Sequence, residues 1–456
     1  MSLPTELSWL AHVRATFALG LPLIGAQLAQ MAINVTDTVM VGRLGAPELA
    51  ATVLATQTFF LFWMFGSGFA LAMMPLAASA AGQGLRYAVG RSVRMGLWVV
   101  MAYSALVMPV LWHTEGILLL LGQEPELAAI AGRFMRVLQW SMFASLFIMG
   151  MRSYLSVLGR AHVVLWATVL GAVLNAGFVY ALIFGHFGMP ALGVVGAAWA
   201  SVGTSLFIAL LLLGYSLRSP GLRHYELYAG ILRPDWPAFR EVLRLGWPIG
   251  ATIIAEVGLF TASSVMMGWL GTLELAAHGI TLQLAAITFM IPLGLSNAVT
   301  VRVGLAHGQR DRVALGRAAN AALAVAAAIA TLCAALFWML PETLLGLYLD
   351  ETDPNAAEVL RLGVPLLAVA AAFQIVDALQ VVGSGALRGL KDTRVPMLIA
   401  LFSYWLVGMP AAWLLAFAAG WRGVGIWYGL AFGLLAAAVL LNWRFLRRDR
   451  LGLLER

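Results

Sequence analysis

The chain has 456 residues, of which 62% are apolar and only 11% are Asp, Glu, Lys or Arg. A soluble domain carries roughly 25% charged residues, so this composition excludes a water-soluble globule and indicates a polytopic helical membrane protein. The single cysteine, Cys333, excludes a disulfide framework and a cysteine-based zinc site. The formal net charge is +7, and the positions of the basic residues decide what that excess means.

The whole chain consists of successive apolar runs, and each run is long enough to cross a bilayer as a helix. They are too long for core strands and lack the alternation of a membrane β-strand, so an all-α fold with twelve transmembrane helices is predicted. In chain order the predicted helices span residues 15–41, 49–75, 92–113, 133–153, 162–184, 193–216, 241–268, 275–301, 316–340, 357–382, 396–418 and 423–445.

The basic residues fall mostly on alternate loops. If both termini are cytoplasmic, 23 of the 28 Lys and Arg residues lie on inner segments. By the positive-inside rule this bias predicts cytoplasmic termini, so the excess charge is a topology signal. The inner loops carry no nucleic-acid motif and no interleaved aromatics, so no nucleic-acid partner is expected. We expect a multi-pass monomer of the cell inner (cytoplasmic) membrane, with the lipid bilayer as its surroundings.

The chain contains an internal repeat. Moving every residue of the first half forward along the chain by the distance from Val39 to Val265, which we call the repeat shift, aligns Val39–Ala51 with Val265–Ala277. Nine of these thirteen positions are identical. The sequence therefore predicts two six-helix lobes, 1–216 and 241–456, joined by a cytoplasmic linker at 217–240. Because each lobe has an even number of spans, both lobes have the same orientation in the membrane. A two-lobed protein of this kind suits a secondary transporter, whose substrate site lies between the repeats.

Apart from acids in the first turn of a predicted helix, three of the 21 acidic residues lie inside the predicted helices: Asp37, Glu256 and Asp377. A carboxylate within a bilayer costs about 2.5–3.5 kcal/mol or more, so each is a functional hypothesis. At a rise of about 1.5 Å per residue, Glu256 and Asp377 lie near mid-membrane and Asp37 lies in the outer third. Burial disfavours the charged form, so such carboxyls can take up protons, and two at one depth can equally bind Na⁺. The predicted helices hold almost no bases to neutralise them.

The chain offers no chemical energy source of its own. It lacks the G-x-x-x-x-G-K-[ST] motif, and its G-Q-G string at 82–84 has no following lysine. Primary ATP-driven pumping is therefore disfavoured, and no cofactor is expected. The coupling ion is predicted to be Na⁺ or H⁺.

Several strings resemble the multidrug and toxic compound extrusion family, in its NorM-like branch: DTVMVGRLG from 37, LGWPIG from 245, LELAAHGI from 273, FMIPLGLSNAVTVRVG from 289, FQIVDALQ from 373 and GALRGLKDTRVPM from 385. The resemblance covers nearly the whole chain. It implies a V-shaped twelve-helix antiporter that exports organic cations in exchange for Na⁺ or H⁺. It also implies that Glu256 and Asp377 are the cation-binding acids of the second lobe, with a possible Na⁺ ion between them, and that Asp37 is the acid of the first.

The resemblance further places a family asparagine at Asn175, whereas a second family asparagine is Val179 here and a proline is Gly177. A family aromatic hydroxyl one turn before Asp377 is Phe373 here. These departures leave both Na⁺ coupling and proton coupling open.

The substrate contacts are predicted from residues near the middle of the helices. Flexible methionines, aromatic faces and amides suit varied flat cations. Besides Asn175, the candidate cargo residues are Gln57, Met64, Gln283, Phe289, Met290 and Gln374.

Two other functions remain as alternatives to cation export. A lipid or lipid-linked oligosaccharide flippase of the same superfamily would share the two-lobed architecture, but it would line its cavity with bases for phosphate. An intramembrane enzyme would need a nucleophile with a base, or a set of metal ligands, at one depth. The sequence shows neither pattern, so the protein is not expected to be an enzyme.

Overall fold

The structure is a computed structural model, and it describes residues 8–231, 233–350 and 354–455. These residues form helices and connecting turns, without a β-strand among them. Eleven of their helices are long and apolar enough to cross a membrane, or up to twelve if one bent pair counts as a single span. The predicted all-α polytopic fold is therefore confirmed.

The described part of the first half of the chain forms nine helices. They are α1 (Trp9–Gly42), α2 (Ala46–Gly82), α3 (Arg86–Trp112), α4 (Thr114–Leu120), α5 (Pro125–Leu138), α6 (Ser141–Val157), α7 (Ala161–Phe184), α8 (Val194–Arg218) and α9 (Pro220–Arg223).

The second half has a similar order of long helices, with two π-helical segments near its end. Its helices are α10 (Trp236–Leu270), α11 (Thr272–Gly308), α12 (Arg312–Met339), α13 (Pro341–Gly346), α14 (Ala356–Gly389), α15 (Arg394–Leu401), the π-helix Phe402–Gly408, α16 (Met409–Trp413), the π-helix Leu414–Ala418 and α17 (Arg422–Leu446).

The helix boundaries agree with the internal repeat. The repeat shift carries both ends of α2 onto the ends of α11, and it carries the first residue of α3, Arg86, onto the first residue of α12, Arg312. Later elements are offset by a few residues more. The two halves therefore correspond at these long helices, as the pattern of identical residues predicts, although the bent pair α5 and α6 of the first half corresponds to the single helix α14 of the second.

One predicted helix, 133–153, is wrong as a single straight element. The structure divides it into α5 and α6, which meet at an angle of 49°. Side chains satisfy the carbonyls at the break, because Gln139 Nε2 donates to the Arg136 carbonyl at 3.1 Å and Ser141 Oγ donates to the Leu138 carbonyl at 2.7 Å. The bend therefore leaves these carbonyls bonded inside an apolar environment, as a membrane helix requires.

The described residues group into two compact units. The N-terminal unit comprises residues 25–250, and the C-terminal unit comprises the first helical residues up to Ile24 together with Ala251 onwards. Helices α1 and α10 thus contribute one segment to each unit. Helix α1 passes from the C-terminal unit to the N-terminal unit after Ile24, and α10 passes back after Gly250. The repeat shift also aligns these two positions with each other. The predicted lobe boundaries at 216 and 241 stay a prediction.

Close contact between α11 and α14 builds the interior of the C-terminal unit. A Cβ on Gly385 would lie 2.6 Å from the Ser296 carbonyl oxygen, so only glycine permits this approach. Ser296 Oγ donates to the Val381 carbonyl at 2.7 Å, and Thr300 Oγ1 donates to the Gly385 carbonyl at 2.8 Å. Small residues with hydroxyl bonds between helices are the usual means of packing helices in lipid. This contact fixes how α14 presents Asp377 beside α11.

The first segment of α1 is held on α11 within the C-terminal unit. The buried Arg302 guanidinium donates to the His12 carbonyl at 2.9 Å and to His12 Nδ1 at 2.7 Å, and it also bonds the Thr16 hydroxyl. Further along, a Cβ on Gly294 would lie 2.9 Å from the Ile24 amide nitrogen. The buried Arg302 guanidinium and the close contact between Gly294 and Ile24 therefore hold this segment of α1 against α11 at two positions.

In the N-terminal unit, the segment before α10 is held on α3 by an ion pair. Arg91 Nε and Nη2 donate to the Asp235 carboxylate at 2.5 and 2.8 Å. The Ala238 amide donates to the same carboxylate at 3.2 Å, so Asp235 also caps the start of α10. The Arg91 bond holds the pKa of Asp235 below its usual value of 3.8.

We expect Asp235→Asn to lower the free energy of unfolding at pH 7 by up to about 1 kcal/mol, because asparagine keeps the helix cap but loses the half-exposed ion pair. A lowered pKa in the folded state stabilises the protein above the usual carboxyl pKa and ceases to do so as pH falls through the lowered value. Thermal unfolding in detergent should therefore show a constant difference from pH 8 to 5, which shrinks below about pH 4. A difference that grows on acidification would contradict the assigned pairing.

Candidate functional site

The sequence-predicted acid pair, Glu256 and Asp377, lies in the C-terminal unit. Glu256 is on α10 and is half-buried, whereas Asp377 is on α14 and is only 5% exposed. The two carboxyls are near enough to interact electrostatically. The helical rise predicts that Glu256 and Asp377 lie at a similar depth in the membrane. The structure also brings their carboxyls close to each other.

The expectation that the spans hold almost no bases is wrong. Arg388, three turns after Asp377 on α14, interacts electrostatically with Glu256. Arg94, Arg152 and Arg302 are each at most 5% exposed. The sequence placed these arginines at inner helix ends, but the helices continue past the apolar runs and bury them. Even so, neither acid of the pair is within ion-pair distance of a base among the described residues.

Tyr404 is a member of this site that sequence reasoning missed. It is fully buried on the π-helix Phe402–Gly408, and its hydroxyl interacts electrostatically with both Glu256 and Asp377. Gln380 Nε2 donates to the Tyr404 hydroxyl oxygen at 2.8 Å, which leaves the hydroxyl proton free for another acceptor. The only signal in the sequence is a single tyrosine within an apolar helix.

A narrow cavity adjoins Asp377. Its volume is about 10 Å³, which is room for one water molecule. Two of the predicted cargo residues, Phe289 and Gln374, line it together with Asp377. The remaining lining residues are Thr288, Pro292, Ile329, Ala330 and Cys333. Three polar side chains therefore meet in an otherwise apolar cavity.

The predicted acid of the first half, Asp37, lies in the N-terminal unit. Ser201 Oγ on α8 donates to Asp37 Oδ2 at 3.1 Å. The predicted Asn175, fully buried on α7, lies beside the same carboxyl, although its amide atoms make no hydrogen bond within the described residues. Asp37 Oδ1 and Thr204 Oγ1 are also buried without a hydrogen-bond partner there. Asn175 and Ser201 thus both lie at the Asp37 carboxyl, and the amide atoms of Asn175 and one carboxyl oxygen are unsatisfied among the described residues.

The other predicted cargo residues are placed on two helices. On α2, Gln57 is exposed and Met64, two turns later, is half-buried. On α11, Gln283 and Met290 are both half-buried. Their part in binding cargo stays a prediction.

The described residues contain no group of three or more His, Cys, Asp or Glu side chains that could hold a metal ion. A cation at the acid pair would therefore draw its other ligands from neutral oxygen atoms. Hydroxyl, amide and carbonyl oxygens are suitable ligands for a hard cation.

Comparisons with known proteins agree with these features. The sequence model of the MatE family matches residues 22–181 and 248–414. A relative from Rhizobium meliloti (strain 1021), named "Probable multidrug resistance protein NorM", is 54% identical over 96% of this chain and 94% of its own length. A protein of the same name from Agrobacterium fabrum is 48% identical over 96% and 94%.

The fold is also shared with solved structures. The crystal structure of a eukaryotic MATE transporter, AtDTX14, superposes with a TM-score of 0.87 and 21% identity, covering 98% of this chain and 99% of that one. The names of these proteins are those of transporters and resistance proteins, not of enzymes. The predicted resemblance is confirmed: the chain belongs to the MatE family and to its NorM-like members.

Proposed function

We propose that the protein is a secondary antiporter that exports lipophilic organic cations in exchange for Na⁺ or H⁺. The observation that carries this proposal is the set of three carboxyls within the membrane-spanning helices. Glu256, Asp377 and Asp37 form no ion pair with any described residue. The negative charge of a carboxylate buried in this way must be neutralised by a proton, a metal cation or a cationic cargo.

The bonding of three buried arginines, Arg94, Arg152 and Arg302, supports cationic over phosphate-bearing cargo. Arg94 donates to the carbonyls of Glu226 and Ala229, and Arg152 donates to Gln27 Oε1 at 2.5 Å. Arg302 is held by α1 in the same way. These guanidinium groups bond protein oxygens, whereas a flippase for phosphate headgroups needs bases open to its cargo.

The topology and location follow from the charge distribution. We infer that both termini are cytoplasmic, because 23 of the 28 basic residues then lie on inner segments. The bacterial relatives named as multidrug resistance proteins support a place in the cell inner membrane and a varied cargo. The lobes then alternate access to the cargo site.

The direct test is transport in proteoliposomes that contain the purified protein. With an imposed Na⁺ or H⁺ gradient, we expect uphill movement of a fluorescent organic cation such as ethidium, and none of a matched anionic dye. Collapse of the gradient with an ionophore should stop that movement. Scrambling of a fluorescent phospholipid without ethidium transport would instead support a flippase.

Asp37 is expected to govern cargo release on the outer side. Its carboxyl lies five residues before the end of α1, and it should ionise when hydrated and favour protonation when desolvated. We expect Asp37→Asn to bind cargo normally but to lose the pH dependence of efflux between pH 6 and 8. Any Na⁺ dependence should remain. Wild-type efflux by this variant across that pH range would make Asp37 an ordinary acid at a helix end.

A further inference from the structure

We propose that the inner face of the C-terminal unit binds the headgroup of an anionic phospholipid, at a site centred on Arg310 and Lys391. The site shares no residue with the acid pair or the cargo residues, and its place in the inner leaflet rests on the cytoplasmic termini inferred above. Both bases have a backbone conformation that is unfavourable for them, and they lie on a surface where bases adjoin exposed apolar side chains.

Arg310 and Lys391 each follow the end of a long helix in the left-handed backbone conformation. Arg310 lies after α11 and Lys391 after α14, and their φ angles are 57° and 59°. Glycine is the usual residue at such a position, because any other side chain is strained there. Each turn therefore keeps a long basic side chain at a cost in stability.

The first half of the chain has glycine at both corresponding positions. Gly84 follows α2 and Gly159 follows α6, with φ angles of 75° and 71°. The repeat shift carries Gly84 onto Arg310, and Gly159, like Lys391, is the second residue after the end of its helix. The same turn is thus made with glycine in one half and with a base in the other. Backbone strain that is kept in this way indicates a function for the side chain.

The end of α17 and the segment after it connect the two turns. Arg444 Nε donates to the Asp392 carboxylate, in the turn after α14, at 2.6 Å. Arg312 Nη1, in the turn after α11, lies 3.5 Å from Asp449 Oδ1. Leu453 is 1% exposed and packs in the hydrophobic core of the unit, which holds the segment in place. Both turns therefore belong to one surface.

Three acids near these bases already have partners within the protein. Asp392 and Asp449 form the two ion pairs just described, and Asp311 caps α12 by accepting from the Val313 and Ala314 amides at 3.1 and 2.9 Å. Four bases, which we call the inner basic surface, have no ion-pair partner among the described residues: Arg310, Lys391, Arg394 and Arg450. Their positive charge is available to an anion outside the protein.

Exposed apolar side chains adjoin the inner basic surface. Trp443 and Leu446, at the end of α17, are 46% and 67% exposed, and Val313, at the start of α12, is 57% exposed. The Arg447 guanidinium lies over the Trp443 ring, 4.8 Å from its centroid. Tryptophan and arginine at the end of a membrane helix are typical of the depth of lipid headgroups. A phospholipid offers acyl chains to the apolar residues and an anionic headgroup to the bases, so it fits this surface.

The first test is a titration of the purified full-length protein in detergent with phosphatidylglycerol, followed by native mass spectrometry. Wild type should bind phosphatidylglycerol more tightly than phosphatidylcholine with the same acyl chains. Arg310→Gly and Lys391→Gly should each weaken phosphatidylglycerol binding by about fivefold, the effect of one base near an anionic lipid. Phosphatidylcholine binding should not change. Lys391→Arg keeps the charge and should bind phosphatidylglycerol as wild type does.

Thermal unfolding in detergent without anionic lipid separates binding from a structural role. Because glycine relieves the left-handed strain, the apparent Tm of Arg310→Gly and of Lys391→Gly should equal or exceed that of wild type. Added phosphatidylglycerol should raise the apparent Tm of wild type by more than that of either variant.

The matched control is Arg86→Gln. Arg86 is an exposed base at the start of α3 in the N-terminal unit, at the position that the repeat shift aligns with Arg312. Its neutralisation removes one charge outside the inner basic surface and should leave phosphatidylglycerol binding unchanged. Equal weakening by Arg86→Gln and Lys391→Gly would show a general effect of charge and would overturn the proposal.

The other outcomes are equally decisive. Equal affinity of wild type for the two lipids would overturn the proposal, and so would a lower apparent Tm in both glycine variants, since these bases would then serve the turns themselves. Displacement of phosphatidylglycerol by inorganic phosphate at the same concentration would indicate a site for free phosphate and would overturn the lipid assignment. If Arg310→Gly fails to fold, Lys391→Gly decides. None of these measurements requires transport, so they stand apart from the test of antiport.

Discussion

Glu256→Gln and Asp377→Asn are each expected to abolish coupled export and to reduce drug resistance to that of cells without the protein. Both changes keep the size of the side chain but remove the negative charge that attracts the coupling ion and the cargo. Neither acid is within ion-pair distance of a base among the described residues, so the change breaks no ion pair. Resistance of an efflux-deficient bacterial strain to ethidium measures the effect.

The matched control for these variants is Glu342→Gln. Glu342 is an exposed acid at the start of α13 in the same unit, and its neutralisation should leave resistance unchanged. Membrane expression and the apparent Tm in detergent should be similar for all three variants, which excludes misfolding as the cause. Normal resistance in cells that carry either Glu256→Gln or Asp377→Asn would remove that acid from the coupling site.

Gly294→Val is expected to destabilise the C-terminal unit by about 3 kcal/mol, at the upper end of the usual cost of overpacking. A Cβ at this position would meet the Ile24 amide nitrogen at 2.9 Å and Ile24 Cα at 3.0 Å. A side chain could relieve such a contact by changing its rotamer, but backbone atoms cannot, so the first segment of α1 must move away from α11. Thermal unfolding in detergent should show a clear fall in apparent Tm.

The same helix offers a control. Gly279 also lies on α11, but a Cβ there would have no heavy atom within 4 Å. Gly279→Val therefore tests the effect of valine on the helix itself, which is small. An equal fall in apparent Tm for both variants would show that the contact with Ile24 is not what Gly294 provides. The equivalent glycine of the first repeat, Gly68, faces the Gly250 backbone, and Gly68→Val should behave like Gly294→Val.

The long helices could be predicted from the sequence because apolar runs and charged loops are local properties. The repeat between Val39–Ala51 and Val265–Ala277 added the two-fold organisation, which the bounds of α2 and α11 match. The break at Gln139 could not be predicted. The apolar run continues through it, and the side-chain bonds to two carbonyls that accompany the bend have no distinctive pattern in the sequence.

The candidate site could be predicted in part for a similar reason. An acid within an apolar helix is easily recognised, and the helical rise gives its depth when residues are counted from the arginine near the inner end of the helix, which is Arg244 for Glu256 and Arg388 for Asp377. Thr288 and Tyr404 were missed because a hydroxyl in an apolar helix is common and usually bonds its own backbone. Their place beside Asp377 depends on how α11 and the π-helical segment are rotated, which no local pattern in the sequence records.

Exchange of cargo for an ion is the central claim, and it is tested most directly by the reverse flux. Proteoliposomes that contain the protein are loaded with equal Na⁺ and H⁺ on both sides, the membrane potential is clamped, and a gradient of ethidium alone is imposed. Ethidium moving down its gradient should drive ²²Na⁺ or protons in the opposite direction, and Asp377→Asn should abolish this ion movement. Ethidium movement without any opposing ion movement would contradict antiport.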